Sequence, residues 1–133
     1  MNNLTYVSLF SSAGIGCYGF KQENFDCITT CELLDKRIKI QKYNHICKNS
    51  YGYITGDISK YNIKSKIFEN VDKYKKENKI KDVDVILATP PCQGISVANH
   101  KKKNELRRNS LIVDSFLITK RIFPKFFVFE NVQ

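Results

Sequence analysis

Cys92 stands where a thiol can do chemistry. It follows the run Asp84-Val-Ile-Leu-Ala-Thr-Pro-Pro91, in which a β-branched apolar stretch stops at two prolines. Such a run, ended by a turn signal, reads as a buried strand. The prolines have no N–H for a ladder and stiffen the backbone, so the strand cannot continue through them. The expectation is a cysteine on a rigid loop at the carboxyl end of a strand, where ligands bind in open α/β sheets. A thiol there suits a nucleophile better than a core filler. Three carboxylates have a similar placement in the sequence: Glu32, Asp57 and Glu130 each close an apolar segment. Gly14-Ile-Gly16-Cys-Tyr-Gly19 matches G-x-G-x-x-G between a strand and a helix. Glycines there allow a tight turn and close approach of a ligand. With Glu32 to accept hydrogen bonds from ribose hydroxyls, the pattern predicts a nucleotide-type cofactor and equally suits a dinucleotide. Asp57 is a further acceptor near the same cleft, or a cap for the next helix.

These residues need a scaffold that brings strand ends together. Apolar runs predict strands at Tyr6–Phe10, Asp26–Glu32, Tyr53–Asp57, Asp82–Ala88 and Lys125–Glu130. Helices are predicted over 17–23, over 35–48 with Ile38, Tyr43 and Ile46, and over 59–79 with Ile63, Ile67, Val71 and Tyr74 at helical spacing. A last helix is predicted over 110–123, with Leu111, Ile112, Phe116, Ile122 and Phe123 on an apolar face and Pro124 as its stop. Residues 93–106 read as a polar basic loop. Alternating strands and helices predict an α/β fold with a parallel sheet and right-handed crossovers.

Composition narrows the classes. The chain has 133 residues, room for one domain or part of one. No apolar run is long enough to span a membrane, and Met1-Asn2-Asn3-Leu4 has no basic signal-peptide start. Of five cysteines none forms a C-x-x-C pair. Cys17, Cys27, Cys31 and Cys47 lie in apolar or periodic stretches and read as buried reduced thiols of a cytoplasmic protein, not as a disulfide framework. The two histidines, His45 and His100, show no metal-ligand spacing, so no metal is expected. A net charge of +9 favours a polyanionic partner, most simply nucleic acid, or reflects solvated lysine faces. Lys101-Lys-Lys103 and Arg107-Arg108 follow Cys92 closely, where a substrate backbone would pass.

Taken together the motifs resemble the DNA (cytosine-5) methyltransferases. Phe10-Ser-Ser-Ala-Gly-Ile-Gly16 is similar to the family's first motif, which wraps S-adenosylmethionine; the family often has glycine where Ser12 stands. Gly56-Asp57-Ile58 resembles the adenine-binding turn, Pro90-Pro91-Cys92-Gln93 the Pro-Cys-Gln signature, Arg108-Asn109-Ser110-Leu111 the next motif, and Glu130-Asn131-Val132 the Glu-Asn-Val motif. The acid expected two residues before the arginine is offset to Glu105. The resemblance implies a Rossmann-like sheet with strand order 3-2-1-4-5, and it turns the glycine motif toward S-adenosylmethionine. It implies cofactor contacts from Phe10, Ser11, Gly14, Gly16, Glu32, Asp57, Ile58, Pro90 and Leu111. It implies DNA contacts from Gln93, Ser96, Lys101, Arg107 and Arg108, and catalysis by Cys92 and Glu130. The family's later arginine motif, target-recognition region and closing helix have no counterpart in residues 1–133. The expectation is therefore the N-terminal portion of a catalytic domain, whether a truncated gene product, one subunit of a split enzyme or an excerpt of a longer protein, inactive without a C-terminal complementing fragment or subunit. The competing reading is an inactive relic or non-catalytic subunit that binds cofactor or DNA; a nicotinamide-dependent dehydrogenase is a third, for which Pro-Cys-Gln has no role.

Overall fold

A computed structural model describes residues 3–91 and 102–130, with side chains from 110 onward in the second stretch. Five parallel strands form one sheet: β1 (Thr5–Leu9), β2 (Asp26–Glu32), β3 (Tyr53–Thr55), β4 (Val85–Ala88) and β5 (Phe126–Phe129). Their order is β3-β2-β1-β4-β5. β1, the first strand made, lies at the centre with β2 on one side and β4 on the other. The chain therefore reverses direction across the sheet between β1 and β4, the position where such sheets open a crevice at their carboxyl ends.

Strand alternation divides the core in two. Val7, Leu9, Ile28, Ile86 and Ala88 pack with Ile63, Ile67, Val71 and Tyr74 of α3 (Tyr61–Asn78) and with Ile118 and Ile122 of α4 (Lys102–Ile122). Tyr6, Cys27 and Val85 face the other way, toward Cys17 and Phe20 of α1 (Ile15–Gln22). Tyr6 stacks on the Phe20 ring with centroids 4.6 Å apart. Cys17, Cys27, Cys31 and Cys47 are free and buried, as expected.

Several boundaries differ from the sequence reading. α2 (Asp35–Tyr43) ends five residues early. His45 takes a left-handed φ of 50°, and Cys47 bridges to Cys27 beside β2, which pulls the chain out of the helix. Tyr43 is consequently exposed, while Ile38 and Gln41 carry the buried face. α4 begins at Lys102, so 102–106 are helix and not loop. Lys, Glu, Leu and Arg are strong helix formers, and here propensity acts without an apolar period. The buried face of α4 is also more polar than expected. Asp114, Ser115, Ile118, Thr119 and Ile122 are buried, whereas Phe116 and Phe123 are exposed. Asp114 is paired with Lys64 of α3, and Ser115 and Thr119 donate to the carbonyls of Leu111 and Ser115, both at 2.8 Å. Among the described residues no helix is long and apolar enough to cross a membrane. Nor, among them, does any group of three or more His, Cys, Asp or Glu have the arrangement of a metal site.

Candidate functional site

The turn after β1 is built on positive backbone angles. Phe10, Ser12 and Gly14 have φ of 57°, 51° and 88°. Left-handed backbone costs a side-chain-bearing residue roughly 1–2 kcal/mol, so Phe10 and Ser12 need support. Thr89, just past β4, donates its hydroxyl to the Phe10 carbonyl at 2.9 Å. The Ser12 N–H donates to Glu32 Oε2 at 2.9 Å. Gly14 caps α1, and any Cβ there would stand 3.1 Å from Ile46 and 3.3 Å from Gln41.

Glu32 ends β2 at 5% exposure. Its Oε1 accepts from the Leu34 N–H at 3.1 Å and from Arg37 at 3.4 Å. A buried carboxylate held from three sides is fixed in orientation, yet each oxygen can accept more than one donor, so ligand hydroxyls can still reach it. After β3, Asp57 takes the N–H and hydroxyl of Ser59 on Oδ1, at 3.0 and 2.8 Å. The turn it forms precedes α3, whose cap position is Lys60 with no side-chain capping bond, so Asp57 is not the helix cap weighed from the sequence.

These strand ends surround a cavity of about 590 Å³. Phe10, Glu32, Asp57, Ile58 and Leu111 line it, five of the nine residues expected to touch the cofactor. They come from four separate stretches of chain, and Leu111 arrives from α4. Ser11, Gly14, Gly16 and Pro90 do not line it. Ser11 is buried beneath the turn, with its hydroxyl on the Cys31 carbonyl at 3.3 Å. Gly14 and Gly16 shape the start of α1. Pro90 is buried, and it is Pro91 that faces the cavity. Ser12 and Gly56 of the two cofactor motifs also line it, without having been singled out, and sequence reasoning missed Cys31, Leu33, Leu34, Arg37 and Thr89 in the wall. The neighbours of Glu32 and Asp57 were open to discovery from their positions at strand ends; Arg37 was not, since its role depends on where α2 packs.

Gly19 bears on the cofactor class. In a dinucleotide fingerprint the third glycine allows close packing of helix on sheet. A Cβ on Gly19 would meet nothing within 4 Å. The glycine that would complete G-x-G-x-x-G thus has no packing role here.

Glu130 follows β5, and its N–H donates to the Ala88 carbonyl at 3.0 Å. β5 therefore sets Glu130 beside the end of β4, at the same end of the sheet as Pro91. Its side chain is exposed and outside the cavity wall. Cys92, Gln93, Ser96 and Lys101 lie outside the described residues, as do the side chains of Arg107 and Arg108.

Residues 4–133 match the family model described as C-5 cytosine-specific DNA methylase. A type II methyltransferase, M1.HgaI of Avibacterium volantium, is 37% identical over 134 aligned residues, covering 98% of this chain and 35% of that protein. A solved structure from E. coli, described as a DNA modification methyltransferase encoded within a prophage, superposes with a TM-score of 0.60 at 25% identity. That match covers 98% of this chain and 32% of the other. The Cj0485 dehydrogenase structure superposes almost as well, with a TM-score of 0.58 over 93% of this chain and 47% of its own, at 13% identity. The last similarity is one of fold alone, which unrelated chemistries share. The chain spans about a third of the length of the curated relatives it matches.

Proposed function

The chain belongs to the C-5 cytosine-specific DNA methylase family, and from that premise we propose that it supplies the cofactor cavity and the nucleophile for methyl transfer from S-adenosylmethionine to carbon 5 of cytosine in DNA. The observation that carries this reading is an acidic cavity in a basic chain. Glu32 and Asp57 outnumber Arg37 in the pocket wall, while the chain as a whole is +9. An acidic pocket suits a small cation with ribose hydroxyls; a basic exterior suits a polyanion. S-Adenosylmethionine has the first character and DNA the second. The volume of about 590 Å³ falls in the usual range for a ligand of this size.

When bound, S-adenosylmethionine supplies an electrophilic methyl group on its sulfonium. Glu32 is assigned to the ribose hydroxyls, Asp57 to the exocyclic amine of adenine, and Phe10, Ile58 and Leu111 to the faces of the base. The cytosine ring needs activation, because carbon 5 is a weak nucleophile in the intact ring. Cys92 suits that task as a strong nucleophile, present in part as thiolate near neutral pH. Its sulfur bonds to carbon 6, and the electron pair of the ring double bond becomes available at carbon 5. Charge that develops toward ring N3 is met by a proton held at the Glu130 carboxyl. After carbon 5 has taken the methyl group, its proton is removed and the sulfur of Cys92 is expelled. The target base must leave the duplex stack at a cost of a few kcal/mol. Contacts from Lys101, Arg107, Arg108, Gln93 and Ser96 to the strand are assigned to offset that cost. Target recognition and the remaining base contacts are assigned to sequence outside 1–133, in a C-terminal fragment or subunit.

The test uses a complemented enzyme that holds this chain and the missing region. DNA carrying 5-fluorocytosine should form a covalent adduct at Cys92, because fluorine cannot leave as a proton does. Cys92→Ser should abolish methyl transfer and leave S-adenosylmethionine affinity nearly unchanged. Peptide mapping that finds the adduct on Cys17, Cys27, Cys31 or Cys47 would overturn the assignment. Calorimetry that finds NAD bound and S-adenosylmethionine not bound would overturn the cofactor.

A further inference from the structure

Gln41 is an amide with no exposed surface, on a helix whose other faces are wet. Its Nε2 donates to Ser11 Oγ at 2.7 Å and to the Ser12 carbonyl at 2.6 Å. A carbonyl can only accept, so the nitrogen must face Ser12 and the amide cannot be turned over. Its Oε1 is buried with no partner, alone in that respect among the described side chains. A methionine of the same shape would remove this orphan, so core packing alone does not call for glutamine here.

What glutamine does provide is a hold on Ser12. That residue sits at φ 51°, in a region serine seldom occupies. The carbonyl of Ser12 is held by Gln41 and its N–H by Glu32 Oε2, so the two ends of the residue are pinned from opposite sides. One helical turn before Gln41, Arg37 reaches Oε1 of the same carboxylate. A single face of α2 thus grips both the turn after β1 and the acid after β2. The stem of Gln41 also packs under Gly14, which limits its own freedom.

We infer that Gln41 is a positioning residue, which holds Ser12 in its left-handed conformation and so aims Glu32 into the cavity. The functional half of this inference rests on the S-adenosylmethionine reading; the structural half does not. Without the amide bond, Ser12 relaxes toward negative φ and its N–H leaves Glu32. Glycine at position 12 would occupy the left-handed region at little cost and would need the hold far less.

The test is a double-mutant cycle in the full chain with Gln41→Met, Ser12→Gly and both together. Two quantities are read: hydrogen exchange of the residue 12 amide in the free protein, and calorimetric affinity for S-adenosylmethionine. Gln41→Met should speed exchange and weaken binding by about tenfold each with Ser12 present, and by under about threefold in the Ser12→Gly background. Equal effects in the two backgrounds, or unchanged exchange at Ser12, would overturn the inference. If exchange responds as stated but wild-type protein binds no S-adenosylmethionine, the hold on Ser12 stands and the cofactor reading falls. If Gln41→Met fails to fold but the double variant folds, the coupling is supported. If neither folds, Gln41 serves the core and not the turn, and the inference is overturned.

Discussion

Cys31 lies in the wall of the cavity, only 2% exposed, and burial pushes its thiol up to about 12, with the charges of Glu32 and Asp57 adding to the effect. Burial raises Cys17 and Cys27 as well. At pH 8 these three are neutral thiols out of contact with water, and Cys47 is buried beside Cys27 with the sulfurs 3.8 Å apart. Alkylation of native protein at pH 8 should therefore spare Cys17, Cys27, Cys31 and Cys47, as read by mass spectrometry of the digested chain. Rapid labelling of any of them before unfolding would show that the core is open. Glu32 is the second residue whose environment makes a prediction. Glu32→Gln removes the charge that Arg37 and the ligand hydroxyls meet, and should weaken S-adenosylmethionine binding by about 1.5–3 kcal/mol, measured by calorimetry. The carboxylates were legible as candidates because they end apolar runs. Gln41 was not, since its partners Ser11 and Ser12 lie some 30 residues away and only the packing of α2 joins them.

Asp84, just before β4, ties three strands together at the end of the sheet opposite the cavity. Its Oδ2 accepts the Thr5 N–H at 2.8 Å and hydroxyl at 3.0 Å, and its Oδ1 meets Lys125 at 2.7 Å. Burial by itself would raise this carboxyl, but Lys125 and Thr5 outweigh burial and hold it below the ordinary value of 3.8. A carboxyl lowered on folding stabilises the native state above the unfolded pKa, and that contribution is lost as pH falls through the folded value. Urea unfolding should thus show stability that is level above about pH 5 and declines below about pH 4, with a smaller decline in Asp84→Asn. Asp84→Ala should cost about 1–3 kcal/mol at pH 7, since buried donors of Thr5 lose their acceptor. Gly52, before β3, has a steric role. A Cβ there would lie 2.6 Å from the Ile28 carbonyl and 2.9 Å from Cys47 Cβ, so backbone would have to move. Gly52→Ala should destabilise by about 1–3 kcal/mol in the same assay. At this scale β2 was read to the residue, because seven residues with strong strand character lie between clear turns. The start of α4 was not, because its first turns carry charge in place of an apolar stripe.

The molecule as a whole presents β5 as a sheet edge, with β4 on one side and, among the described residues, no strand on the other. Phe126, Phe127 and Val128 are 69%, 58% and 48% exposed, and Phe116 and Leu117 of α4 expose comparable fractions nearby. Natural proteins seldom leave such an edge uncovered. The 133-residue polypeptide expressed by itself should therefore associate, and Phe127→Lys should reduce the association in sedimentation velocity. A monodisperse wild-type monomer would show that the edge is tolerated. What the sequence determined by itself was local or carried by order along the chain. Alternating apolar runs set the α/β class, and the resemblance carried by the motifs implied the central place of β1. The succession of glycine turn, strand-end acids and Pro-Cys-Gln pointed to the family. Tertiary structure decided which of those residues share a cavity. Phe10, Glu32 and Asp57 converge there because parallel strands carry all their carboxyl ends to one side of the sheet, and Leu111 joins them from α4. Ser11 turns away because its hydroxyl is taken by the Cys31 carbonyl beneath the turn, and Gly14 and Gly16 form the start of α1. Arg37 and Gln41 gained their roles in the same way: one face of a helix, set down across two loops, met groups that no local pattern connects to it.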